Sequence, residues 1–94
     1  MHTVLKIHWN ITEGETVNIT IYSKSNCPNC TAAKRLLDDK GIGYNEYSVD
    51  DQAVMAAFIQ THQGIRQMPQ IFIEGQRVGG LVGLQAALKE LGLL

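Results

Sequence analysis

From Val17 to Lys40 the chain reads without interruption as a strand, a short polar loop and a helix. No other stretch limits the fold as much. Val17, Ile19 and Ile21 alternate with Asn18, Thr20 and Tyr22, which is the period of a strand with one apolar face. Ser23, Lys24, Ser25 and Asn26 form the loop. Between Pro28 and Lys40, Cys30, Ala33, Leu36 and Leu37 share one helical face, while Lys34, Arg35, Asp38, Asp39 and Lys40 take much of the remainder. Pro28 suits the first turn, where a missing N–H costs nothing. Gly41 stops the helix, with Lys40 beside its negative end. A strand feeding a helix in this way calls for a second, parallel strand reached by a right-handed crossover.

Residues Tyr44 to Val49 supply that strand. A second helix is predicted over roughly 51–63, capped by Asp50 or Ser48, with Val54, Met55, Phe58 and Ile59 for its buried side and Gly64 at its end. Ile71-Phe72-Ile73 is a compact strand, and Glu74-Gly75-Gln76 is a tight turn into a short strand at Arg77-Val78. After Gly79-Gly80, Leu81, Leu84, Leu88 and Leu91 repeat at helical spacing. The expected order is β-α-β-α-β-β-α. It describes an α/β domain over residues 16–94, with a four-stranded mixed sheet flanked by helices. Residues 1–15 stand outside this pattern. Val4 to Trp9 reads either as an extra edge strand or as part of a loose arm, with a turn at Thr12-Glu13-Gly14-Glu15.

Ninety-four residues, 45% of them hydrophobic, make one small domain with one core. The formal net charge of −1 and the absence of a basic cluster interleaved with aromatics exclude a nucleic-acid footprint. Apolar runs are too short to cross a bilayer, and the first ten residues hold no block of signal-peptide length. A cytoplasmic monomer without membrane contact is the expectation.

The chain's two cysteines, in Cys27-Pro28-Asn29-Cys30, straddle the predicted start of the first helix. Thiolate rather than thiol does sulfur chemistry, and a helix start favours thiolate. In a reducing compartment such a pair serves redox chemistry or metal binding more readily than it serves as a structural staple. A zinc site needs about four ligands, and only the scattered His2, His8 and His62 supplement the thiols. No metal site is expected.

Three separated motifs then carry a family resemblance over roughly residues 17–92. Tyr22-Ser23-Lys24-Ser25-Asn26-Cys27-Pro28-Asn29-Cys30 is similar to the lysine-containing loop and C-P-[YF]-C of glutaredoxins, members of the thioredoxin superfamily. Met68-Pro69-Gln70-Ile71-Phe72-Ile73 resembles T-V-P-Q-I-F-I, and Gly79-Gly80 with Leu84 resembles G-G-x-x-[DE]-L. The resemblance implies a thioredoxin-like fold and a dithiol thiol–disulfide oxidoreductase with glutathione as co-substrate and no bound cofactor. It implies a cis Pro69 facing the cysteines, with the Met68 backbone beside Cys27 to receive an incoming cysteine. It also implies glutathione contacts from Lys24, Cys27, Pro28, Asn29, Arg66, Met68, Pro69, Gly80, Leu81 and Val82. Implied partners are disulfide-containing or glutathionylated proteins such as ribonucleotide reductase.

Two departures stand out. Asn29 replaces the usual aromatic, and Leu81-Val82-Gly83 stands where many relatives carry C-[DS]-D. The second change leaves backbone N–H groups to hold a carboxylate but removes the expected partner of the glutathione ammonium. Glutathione use is therefore expected to be weaker or less selective than in those relatives.

Cys27, at the helix start, is the expected nucleophile. Cys30, one turn on and on the apolar face, is the expected resolving thiol. Two alternatives remain at this level. One is a thioredoxin-reductase-coupled reductant that ignores glutathione. The other is a dimer holding a [2Fe–2S] cluster through Cys27 and glutathione, against which Pro28 argues.

Overall fold

The computed structural model describes residues 17–94, so the arm or extra strand expected within residues 1–15 lies outside the described residues. Seven elements follow in the expected order. They are β1 (Ile19–Ser23), α1 (Pro28–Asp39), β2 (Asn45–Ser48), α2 (Gln52–Thr61), β3 (Gln70–Ile73), β4 (Gln76–Gly79) and α3 (Leu81–Glu90). The sheet order is β2-β1-β3-β4. β1 pairs with β2 in parallel, Thr20 opposite Asn45, and with β3 antiparallel, Ile21 opposite Ile71. β4 extends the sheet antiparallel to β3, with a register shift between Ile71 and Phe72. No helix among the described residues is long and apolar enough to cross a membrane.

Strand alternation divides the interior in two. On one face Ile19, Ile21, Ile71 and Ile73 pack against Ala33 and Leu37 of α1 and Leu84, Ala87 and Leu88 of α3. On the other, Tyr22 and Phe72 pack with Phe58 of α2, Met68 and the two cysteines. The α1 helix therefore covers the first face with its body while its opening turn reaches the second.

Local chemistry sets the element ends. After Asp39 the helix α1 closes with the Ile42 N–H on the Leu37 carbonyl, 2.9 Å away, which also tucks Ile42 against the core. The β3–β4 hairpin turns on Glu74 (φ 52°) and Gly75 (φ 80°), the left-handed pair that a two-residue hairpin requires. Gly83 answers a different demand. A Cβ there would run into the backbone carbonyl of Val78, so α3 can lie against β4 only with glycine at this position.

Several expectations shift in detail. The first strand begins at Ile19 rather than Val17 and gains Ser23, while the second is trimmed to Asn45–Ser48. The second helix spans Gln52–Thr61, and its cap is neither Asp50 nor Ser48. Asp51 accepts from the N–H groups of Ala53 (2.9 Å) and Val54 (3.5 Å), while Ser48 Oγ accepts from the Asp50 N–H in the turn before it. Of the four residues expected on the buried side of this helix, Phe58 alone is fully buried. Val54, Met55 and Ile59 are half-buried because α2 is the one helix on its face among the described residues.

Candidate active site

Cys27 is the N-cap of α1, in an extended conformation (φ −127°, ψ 98°), with Pro28 in the first helical turn. Its sulfur accepts from the Cys30 N–H at 3.1 Å, so one orphan donor of the helix start points at the sulfur itself. Cys27 and Cys30 are joined as a disulfide with Cα atoms 5.2 Å apart. Cys27 is 8% exposed and Cys30 is 1% exposed, so what little opening the pair has lies at Cys27. Pro28 and Asn29, between them, are exposed.

The far wall comes from the loop before β3. Met68-Pro69 is a cis peptide bond, and the Met68 carbonyl oxygen lies 3.5 Å from Cys27 Sγ. This is a contact in the disulfide form, where the sulfur carries no proton. Met68 and Pro69 are both buried. Gly80, the N-cap of α3, completes the surround. A Cβ placed on it would sit 3.5 Å from the Pro69 carbonyl oxygen, and no side chain caps the first N–H groups of α3.

The structure thus gathers Cys27, Cys30, Met68, Pro69 and Gly80. It treats the other expected contacts differently. Leu81 turns its side chain into the larger core, leaving its backbone at the helix start, and Val82 is 76% exposed. Lys24 and Arg66 are exposed, and neither is brought into a bond with the cysteine pair. No group of three His, Cys, Asp or Glu side chains among the described residues could hold a metal ion.

Three residues around the site escape sequence reasoning. Gln70 is 5% exposed, donating to the Gln67 carbonyl (2.8 Å) and accepting from Arg77 Nε (2.9 Å), and so ties the cis-proline loop to β4. Asp50 accepts from Ser25 Oγ at 2.6 Å and approaches the Ser25 N–H at 3.3 and 3.4 Å. Glu46 accepts from buried Ser23 Oγ (2.6 Å) and from Lys34 Nζ (2.8 Å), joining the end of β1 to α1. The Lys34 and Ser23 hydrogen bonds hold the Glu46 carboxyl below the usual carboxylate range, and the Glu46 bond raises Lys34. Asp50 and Glu46 bond partners 12 to 25 residues away, and Gln70 bonds within its own loop and across the β3–β4 hairpin, so periodicity gives no signal for any of them.

Residues 19–78 match the sequence pattern of the glutaredoxin family. The chain belongs to the glutaredoxin family. It is 39% identical to glutaredoxin 3 of Escherichia coli (strain K12) over 69 residues, which covers 73% of this chain and 83% of that one. The solution structure of glutaredoxin from Brucella melitensis matches with a TM-score of 0.65 at 37% identity, covering 86% of this chain and 87% of that one. NrdH-redoxin from Escherichia coli, a glutaredoxin-like protein with a thioredoxin-like activity profile, matches with a TM-score of 0.59 at 28% identity, covering 73% of this chain and 92% of that one. The four-stranded mixed sheet with three helices is the thioredoxin-like fold of glutaredoxins, and the family implies thiol–disulfide oxidoreductase chemistry at a redox-active cysteine pair.

Proposed function

We propose that this glutaredoxin reduces protein disulfides and glutathione mixed disulfides, with Cys27 as nucleophile, Cys30 as resolving thiol and glutathione as reductant. The observation that carries the reading is the asymmetry of the pair. One sulfur sits at the helix start with an N–H aimed at it in a residue that keeps 8% exposure, and the other lies one turn inside at 1%.

In the reduced protein the Cys27 thiolate attacks one sulfur of a substrate disulfide. The substrate S–S bond breaks, one thiol departs with a proton, and Cys27 carries a mixed disulfide. Cys30 then loses its proton and attacks Cys27 Sγ, releasing the second substrate thiol and leaving the Cys27–Cys30 disulfide. Two electrons have passed to the substrate. Two glutathione thiols return them: the first attacks Cys27 Sγ, forming a mixed disulfide there and freeing Cys30, and the second attacks the glutathione sulfur of that mixed disulfide, so that oxidised glutathione leaves and the Cys27 thiolate is restored. The Met68 backbone, held beside Cys27 by the cis bond, is suited to pair with the main chain of the incoming cysteine, as a short strand addition would. The uncapped start of α3 next to Pro69 suits a carboxylate of glutathione. Lys24 and Arg66 supply longer-range positive charge, and Pro28 and Asn29 form the rim of the same opening.

A second reading has a specific observation behind it. The α3 start offers no side chain to the ammonium of glutathione, and exposed Val82 suits an apolar protein surface better. With the likeness to NrdH-redoxin, this favours a thioredoxin-reductase-coupled reductant whose targets are proteins such as ribonucleotide reductase. The experiment is turnover of the oxidised protein with glutathione and glutathione reductase, or with thioredoxin reductase. Fast turnover in the first system alone supports glutathione dependence, and fast turnover in the second alone replaces it. A brown protein from anaerobic purification would instead favour the cluster-bridged dimer over the cytoplasmic monomer proposed here.

A further inference from the structure

Two adjacent carboxylates follow the β2 strand, and they do different work. Asp51 caps α2, whereas Asp50 turns back across the sheet to the loop that carries the cysteines. Lys24, Ser25 and Asn26 of that loop are exposed, and beyond the β1–β2 rung from the Val49 N–H to the Ser23 carbonyl (2.8 Å) it leaves the sheet. Asp50 then grips Ser25 through both its hydroxyl and its backbone N–H. The next residue, Asn26, takes a left-handed conformation (φ 54°), and Cys27 follows in the extended conformation that aims Sγ at the Cys30 N–H. Ser25 is thus the last fixed point before a backbone reversal that sets where the sulfur lies.

We propose that Asp50 is a positioning residue for Cys27: by holding Ser25 it fixes the backbone reversal that keeps the sulfur on the Cys30 N–H. The inference rests on the assignment of Cys27 as the thiolate nucleophile. It has a signature that charge alone does not share. A carboxylate near a thiolate disfavours it by repulsion, so removing the charge by itself makes the thiol more acidic. Loss of the aim toward the N–H makes it less acidic. The other charged or titratable groups on the surrounding elements are Tyr22 of β1, Lys24 of the loop, Lys34, Arg35, Asp38 and Asp39 of α1, Glu46 and Tyr47 of β2, Asp51 and His62 at the two ends of α2, and Arg66 before Met68. They are unchanged across the comparison.

The test uses the full reduced chain with Cys30→Ser as a common background, so that one thiol reacts, and follows alkylation by iodoacetamide as a function of pH. Asp50→Ala is expected to raise the apparent pKa of Cys27 by about one unit. Asp50→Asn keeps an acceptor oxygen without the charge and is expected to leave the pKa at or below the parent value. Ser25→Ala, which keeps the backbone N–H bond, gives a smaller rise and serves if Asp50→Ala does not fold. A fall in both Asp50 variants, or no change in Asp50→Ala whatever its stability, overturns the proposal. A parent thiol titrating at the ordinary value of about 8.5 or above overturns the nucleophile assignment along with it.

Discussion

The two faces of the sheet are built for different ends. On the α1/α3 face, Ile19, Ile21, Leu37, Ile71, Ile73, Leu84 and Leu88 are sealed, none more than 1% exposed. That face is aliphatic and covered by two helices. The other face has one helix over it and is aromatic, with Tyr22 packed on Phe58 (ring centroids 4.9 Å), Phe58 on His62 (4.8 Å) and His62 on Phe72 (5.0 Å). The cysteine pair and Met68 belong to this less-covered cluster. Close packing is complete on the first face, while the cysteine pair lies on the face with less cover, Cys27 keeping 8% exposure against 1% for Cys30. Rigidity at the reactive end comes instead from directed bonds: Asp50 to Ser25, Gln70 to Gln67 and Arg77, Glu46 to Ser23 and Lys34.

This contrast can be broken by substitution. The largest loss is expected from Leu37→Ala on the sealed face, about 3 kcal/mol in urea unfolding from lost burial and the residual cavity. The folded fraction should keep its reductase activity. An equal stability loss from Tyr22→Leu on the aromatic face would contradict the division. Gly83→Ala comes next, at about 2 kcal/mol, because the added methyl meets backbone at Val78 rather than a side chain that can turn away. Since α3 must then shift, this variant should also slow turnover with glutathione, measured as a rise in KM.

Gly83 shows where a sequence stops speaking. Its role needs the approach of α3 to β4, which no local pattern encodes, and within a helical period it reads as a mild defect. The Cys27–Cys30 motif, Pro69 and Gly80 were legible because family motifs mark them. The paired strands were legible from the alternation of Val17 to Tyr22 and the compact Ile71-Phe72-Ile73 run. Helical period named Val54, Met55 and Ile59 but could not say that one helix would have to cover its face. Asp50 and Asp51 are chemically equal candidates for the same cap. Only the turn bonded at Ser48 decides that the second caps the helix and frees the first for Ser25.

Asp51→Ala tests that division of labour. It should cost about 1 kcal/mol in thermal or urea unfolding, with little change in the reactivity of Cys27, whereas Asp50→Ala should alter reactivity first. The smallest effect is expected from Glu46→Gln, below about 1 kcal/mol at neutral pH because both partners of the Lys34 pair are about a third exposed. Its pH dependence has a definite sign. With Glu46 held low in the folded state, its contribution is present above the ordinary carboxylate range and is lost as pH falls through the lowered value. With Lys34 raised, its contribution is present below the ordinary lysine value and is lost as pH rises through the raised one. The stability gap between parent and Glu46→Gln should therefore be widest near neutrality and close at both ends of the pH scale.

The proposed function turns on the unequal role of two sulfurs one helical turn apart. Its most direct test is to react the Cys30→Ser and Cys27→Ser proteins separately with oxidised glutathione and to follow adduct formation by peptide mass spectrometry. Rapid glutathionylation of Cys27 is expected in the first protein, and slow or no adduct on Cys30 in the second. Equal rates at the two positions, or faster reaction at Cys30, would contradict it.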